Sequence, residues 1–267
     1  MRDKLFLVLP AALIVLAEVL FFNGMKEACL MLHLFNVFMC IMLAIFYSKG
    51  AELLIAFVLV SLLRILNVGM PTFFDLSIYY FPFIYLPVII AAYLVWRVDN
   101  VEEGKGPGAR GVWQFLNGVA MNEKNTFKWA YLPIAVVMGL TMSFVEYAVL
   151  KPEALIPDMS FGSIALLFVV MVVFVGFGEE IVFRAILQRK VQERTGPIIA
   201  VLFSAFLFAM MHSGYESLPY LLYVFGVGIV LGYSFLRTKN LLFVALIHGM
   251  INFFLFSFLP NGWYFLD

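Results

Sequence analysis

Charge is scarce in this chain. Charged residues make up 13% of it and hydrophobic residues 64%, where a soluble domain carries roughly 25% charged and 45–50% apolar residues. With a mean hydropathy of +1.01, a water-soluble globular domain is excluded, and an integral membrane protein is the reading that remains. The few charges balance, 17 Lys and Arg against 17 Asp and Glu. No basic field is available, so nucleic acid is not an expected partner. Cysteine is limited to Cys29 and Cys40, in one apolar run. Along a helix they stand roughly 16 Å apart, beyond the reach of a disulfide. No internal repeat and no low-complexity segment is visible.

Long apolar runs are what the chain has in abundance. A span needs about 20 mostly apolar residues, and nine stretches qualify as candidates: 5–22, 28–47, 51–69, 78–96, 129–150, 161–182, 197–213, 218–236 and 240–259. In lipid the backbone must satisfy its own polar groups, so helix is the expected state. The reading is an all-α polytopic transmembrane helical bundle of about nine spans, with eight as the lower count. The first run has no clear small-residue cleavage site and carries Glu18, so it reads as a retained anchor.

Basic residues set the orientation. With the N-terminus cytoplasmic, Arg2, Lys4, Lys49, Arg97, Lys105, Arg110, Lys124, Lys128, Arg189, Lys190, Arg194, Arg237 and Lys239 all fall on the cytoplasmic side. Lys26 and Lys151 fall outside, and Arg64 and Arg184 within or at the edge of spans. The C-terminus is then external. The organisation expected is 1–96, a four-helix membrane region; 97–128, a cytoplasmic linker rich in Gly and charge; and 129–267, a second membrane region that carries the chemistry. Within the linker, Gly111 to Ala120 reads as a short amphipathic piece on the membrane surface. Trp96, Trp113, Trp129 and Trp263 sit at or beyond span ends, as interfacial aromatics do.

The second region holds ionisable groups where hydrocarbon makes them costly, and such groups are functional candidates. Glu179 and Glu180 follow an uncharged run from Phe161 to Phe177. Glu180 and Arg184 are i,i+4 neighbours and can pair. Glu179 points about 100° away from Glu180, toward a cavity. The helix turns at Thr195-Gly196-Pro197. Glu179 lies 16 residues before Thr195 and His212 lies 17 after it, so an antiparallel hairpin brings both to one depth. His248 and Asn252 share a helix face at i,i+4. A single Glu–Arg pair, or one buried His, would serve packing alone as readily as function. Two His, a Glu-Glu-x-x-x-Arg and an Asn at matched depth favour a catalytic or ion-handling site.

Three chemistries use these groups. A carboxylate can activate water for amide hydrolysis, with His212 holding the water and His248 and Asn252 donating to the developing oxyanion. Alternatively, Glu179, His212 and His248 are zinc ligands, although no His-Glu-x-x-His occurs. A proton- or cation-coupled transporter also uses buried Glu and His, but usually shows broken helices or repeated halves.

Glu179-Glu180-x-x-x-Arg184, Phe208-x-x-x-His212 and His248-x-x-x-Asn252, in this order, resemble the three motif boxes of the CPBP family, the CAAX proteases and bacteriocin-processing enzymes. These are related to the Ras-converting prenyl-protein endopeptidase. The resemblance covers roughly Ala130 to Pro260. It implies an intramembrane endopeptidase of glutamate type, earlier classed as a metalloprotease. By that analogy Glu179 is the base and His212 positions the water. His248 and Asn252 form the oxyanion site, and Glu180 and Arg184 support them. No soluble cofactor is expected, with zinc as the less favoured variant. The implied partners are the bilayer and a membrane-associated peptide or protein, prenylated C-termini and leaders among them. The implied location is a multi-pass position in the membrane, the plasma membrane if the source is prokaryotic. The rival reading from another class is a non-catalytic immunity or scaffold protein that binds a peptide in the same cavity.

Glu18, Arg64 and Glu146 are also buried in apolar runs. The expectation is that Arg64 pairs with Glu18 or Glu146 and fixes packing, and that His33 is a packing or hydrogen-bonding residue.

Overall fold

The computed structural model describes residues 2–47, 50–73, 77–102 and 128–261. Among the described residues nine long helices carry the chain: α1 Arg2–Phe22, α2 Lys26–Phe46, α3 Ala51–Phe73, α4 Phe81–Glu102, α5 Tyr131–Leu150, α6 Phe161–Thr195, α7 Pro197–Met210, α8 Leu218–Thr238 and α9 Leu241–Phe256. No strand occurs among the described residues. Each helix coincides with one expected span. Seven are long and apolar enough to cross a membrane, whereas α7 and α9 are shorter, at 14 and 16 residues. The sequence runs suggested two longer spans here. Met211 instead turns the chain away after α7, and Ser257 ends α9 in a non-helical conformation. The expected linker opens on helix, because α4 continues past the span end at Trp96 to Glu102. Its remainder to 127, the 111–120 piece, Trp113 and Trp263 lie outside the described residues.

Local chemistry explains the helix starts. The Ser160 hydroxyl accepts from the Ser163 N–H, Ser217 from Tyr220 and Asn240 from Phe243. Each satisfies an orphan donor of a first turn. Asp158 adds to the α6 start by accepting from the Ser160 N–H and the Ser163 hydroxyl, and these hydrogen bonds hold its carboxyl below the usual carboxylate range. Gly196 (φ 97°) followed by Pro197 makes the tight α6–α7 corner. Between α8 and α9, Lys239 adopts a left-handed conformation that reverses the chain within two residues.

Apolar faces pack α1 to α4 on one side and α5 to α9 on the other, with α6 touching both groups. Close approach depends on small residues, as in other membrane bundles. A Cβ at Gly249 of α9 would lie 2.5 Å from the Cα of Val172 in α6. Large apolar side chains such as Phe38, Phe83, Val137 and Leu222 face outward, the pattern of a surface solvated by lipid rather than water. The molecule is an integral membrane protein.

Candidate active site

The glutamates sit on the most irregular stretch of the bundle. Within α6, Val170–Gly176 and Ile181–Gln188 are wound as π-helix, on either side of an α-helical Phe177–Glu180. Wide turns of this kind often mark functional sites. They leave Glu179 and Glu180 on one short, ordinary turn with different surroundings.

Glu180 is fully buried, and so is Arg184; Glu180 Oε2 is 3.0 Å from Arg184 Nε. The guanidinium also donates to Ser204 Oγ at 3.1 Å and lies 4.8 Å from the Phe208 ring centre. Ser204 in turn donates to the Phe183 carbonyl at 2.8 Å. The pair thereby joins α6 to α7. Glu180 has a second partner that the helix-face argument did not supply. Its Oε1 lies 2.9 Å from His248 Nδ1. A carboxylate oxygen accepts, so His248 donates through Nδ1.

Glu179 faces a cavity of about 590 Å³. His212, His248 and Asn252 line the same cavity, as the matched depths required. His212 Nδ1 is 2.8 Å from the Phe208 carbonyl, one turn back in α7. A carbonyl can only accept, so Nδ1 carries the proton, and Nε2 of the neutral ring is an acceptor. His248 Nε2 stands 3.9 Å from Glu179 Oε2. That separation is too long for a hydrogen bond, yet one water about 2.8 Å from each atom can bridge it. Glu180 and Arg184 do not line this cavity; they stand behind it and hold His248 and α7.

One functional candidate comes from outside the second membrane region. Tyr85 of α4, 3% exposed, donates its hydroxyl to Glu179 Oε1 at 2.5 Å. Its ring lies against Gly178, where a Cβ would meet Tyr85 Cδ1 at 2.9 Å. A lone Tyr in an apolar span carries no pairing signal. The small residue beside Glu179 was the available hint that another helix approaches closely. Glu146, the other candidate partner of Arg64, accepts from the Tyr220 hydroxyl at 2.8 Å and lies on the cavity wall.

Arg64 takes Glu18 instead. Its Nε and Nη2 reach the two Glu18 oxygens at 2.7 and 2.6 Å, and Nη2 also donates to the Met211 carbonyl. His33 Nε2 (3.1 Å) and Ser213 Oγ (2.5 Å) complete the shell around Glu18. Asn36 and His33 meet on Ser61. This junction ties α1, α2 and α3 to the turn that follows His212. Among the described residues, Glu18, Cys29 and His33 form the group whose potential ligand atoms all lie within 4.8 Å of one another. The Arg64 guanidinium already neutralises that carboxylate, so the trio fits a hydrogen-bonded junction better than a cation site.

A polytopic membrane protein with a Glu–His–Asn cluster on a cavity of about 590 Å³ is therefore the class that fold and site define. Residues 161–254 match the family model described as Rce1-like, type II CAAX prenyl endopeptidase. That segment contains all three motif boxes, and over these residues the chain is similar to the CAAX-protease family. No curated protein and no solved structure matches the chain.

Proposed function

We propose that this protein is an intramembrane endopeptidase in which Glu179 activates water to hydrolyse a peptide bond in a membrane-associated substrate, lipidated C-termini and leaders included. The observation that carries this reading is the pair Glu179 Oε2 and His248 Nε2, 3.9 Å apart on a shared cavity. Tyr85 occupies the other carboxylate oxygen, which leaves Oε2 for the water.

The steps follow from the atoms present. Glu179 takes a proton from water, and the hydroxide oxygen attacks the peptide carbonyl carbon. His212 Nε2, an acceptor, orients the second hydrogen of that water. Negative charge develops on the carbonyl oxygen, where the Asn252 amide N–H and a protonated His248 Nε2–H are its donors. The C–N bond then breaks, and the proton held by Glu179 passes to the leaving amine. Glu180 keeps the His248 ring in register through Nδ1.

The test uses purified protein in detergent and a fluorogenic, farnesylated C-terminal peptide. Glu179→Gln is expected to abolish cleavage with an unchanged melting temperature. A Glu179→Gln rate equal to wild type would sink the assignment. Activity lost to a chelator and restored by zinc would instead identify a metal-dependent hydrolase, with Glu179, His212 and His248 as its ligands. Tight peptide binding with no new peptide ends would favour the scaffold reading.

A further inference from the structure

The catalytic cavity and the basic residues lie toward opposite faces of the bundle. One face is marked by the start of α3 and the end of α6, where Lys190 pairs with Glu52. Lys239, at the α8–α9 turn, shares this face with Arg189: burial, and then the Arg189 charge, hold its ammonium below the usual lysine range. Arg194 and Arg237 lie in the last turns of α6 and α8, on the same side. Stacking of Tyr131 on Phe243, with centroids 4.3 Å apart, brings the start of α5 there as well.

The other face collects the opposite helix ends. Ser213, just after α7, donates to Glu18 near the end of α1. Leu155, between α5 and α6, donates its N–H to the carbonyl of Phe256 at the end of α9. Basic side chains on this face are Lys26 and Lys151 alone in the sequence assignment of loops.

The cavity wall is drawn from this second half of the bundle. Its inner end is Glu179, His212, His248 and Asn252; its outer end includes Lys26, Glu27 and Tyr215. Lys26 and Glu27 are exposed, and Tyr215 is 47% exposed. No residue from the basic helix ends is among its lining residues. Basic loops stay in the cytoplasm.

We propose that the cavity is open to the membrane face opposite the cytoplasm and takes a peptide end presented from that face. That a peptide is the occupant rests on the endopeptidase reading; the direction rests on charge placement and cavity geometry alone. The substrate class is thereby narrowed to peptides that have already crossed or inserted into the bilayer, such as an exported leader or a membrane-anchored tail. A soluble cytoplasmic C-terminus would meet the closed, basic side.

Cysteine labelling decides the direction without reference to activity. Lys26→Cys and Glu27→Cys, at the mouth, and Arg237→Cys, on the basic face, are compared in cells with a membrane-impermeant maleimide. Wild type is the blank, since Cys29 and Cys40 are buried. The expected result is labelling of the mouth variants in intact cells, and of Arg237→Cys only after permeabilisation. The reverse pattern, labelling of both faces in intact cells, or mouth variants that stay unlabelled throughout would each overturn the proposal. A second readout separates this from the function itself. Bulky labelling at Lys26→Cys should lower cleavage of an added peptide at least tenfold, with labelled Arg237→Cys unaffected. If the protein is no peptidase, there is no cleavage to lower, yet the labelling pattern still stands.

Discussion

The Tyr85 hydroxyl donates to Glu179 Oε1 across 2.5 Å, so a helix of the first membrane region reaches the carboxylate on which the second depends. This gives the first region a direct part in the site. The matched family segment begins only at residue 161, and α4 completes what it leaves open.

Tyr85→Phe keeps the ring against Gly178 and removes one hydrogen bond to a carboxylate. Bonds to charged groups are worth about 1.5–3 kcal/mol. A loss of kcat of roughly ten- to a hundredfold is expected, at nearly constant KM, because in the proposed reaction Tyr85 orients Glu179 and does not grip the peptide. A tyrosine that only packs would leave kcat unchanged in Tyr85→Phe. Steady-state kinetics on the fluorogenic peptide, alongside the melting temperature, separates the two.

Glu180 stands between the Arg184 cation and the His248 ring. Removing one partner of a buried ion pair costs about 3–5 kcal/mol, because the other charge is left uncompensated. Arg184, fully buried, is that other charge. Glu180→Gln is therefore expected to lower both stability and kcat, whereas Glu179→Gln lowers kcat alone. The comparison is made by thermal unfolding in detergent and by initial rates. Equal melting temperatures for the two variants would argue against the division of roles between the glutamates.

Much of this was legible in the sequence because hydrocarbon makes ionisable groups conspicuous. Glu179, Glu180, Arg184, His212 and His248 stood out against apolar runs, and the Gly196-Pro197 corner fixed the relative depth of Glu179 and His212. The Glu180–Arg184 pairing followed from helical spacing. Tyr85 did not stand out, since a tyrosine in an apolar span is common and its partner lies 94 residues away. The bond from His248 to Glu180 was hidden for a related reason: helix periodicity says which face a residue occupies, not which of two adjacent carboxylates a distant ring will choose. Arg64 had two candidate partners at similar depth, and only the packing of α1 on the turn at Ser213 selects Glu18. The π-helical turns around the glutamates leave no trace in an evenly apolar run.

The Glu18–Arg64 junction makes its own prediction. Arg64 binds both Glu18 oxygens and the carbonyl of Met211, the residue before His212. Arg64→Met leaves a buried carboxylate with His33 and Ser213 alone, at a cost of about 3–5 kcal/mol. It also frees the turn that carries His212. A lower melting temperature together with a lower kcat is expected. Glu18→Gln leaves the buried Arg64 charge uncompensated in its turn and should lower the melting temperature as well. A chelator should alter neither wild type nor Glu18→Gln, because in both the guanidinium holds the place that a cation would take. Metal-dependent stability in wild type would overturn that reading of the Glu18, Cys29 and His33 cluster.

Gly249 follows His248 in the chain and faces the α6 backbone. A Cβ there would meet Val172 Cα at 2.5 Å, its Cγ2 at 2.8 Å and the Met171 carbonyl at 3.0 Å. Backbone cannot swing aside as a side chain can, so Gly249→Ala must push α9 away from α6. Overpacking of this kind costs about 1–3 kcal/mol. The displacement also carries His248 away from Glu179 and Glu180, whose spacings of 3.9 and 2.9 Å set the chemistry. Misplacement near 1 Å can cost about a hundredfold in rate. Gly249→Ala is therefore expected to lose far more activity than stability, whereas Gly162→Ala, with open space around its Cβ, should behave as wild type. Rates and melting temperatures of both variants check this. A fully active Gly249→Ala would mean that the α6–α9 contact does not set the His248 position, and the geometry of the water site would have to be held from α7 and α4 instead.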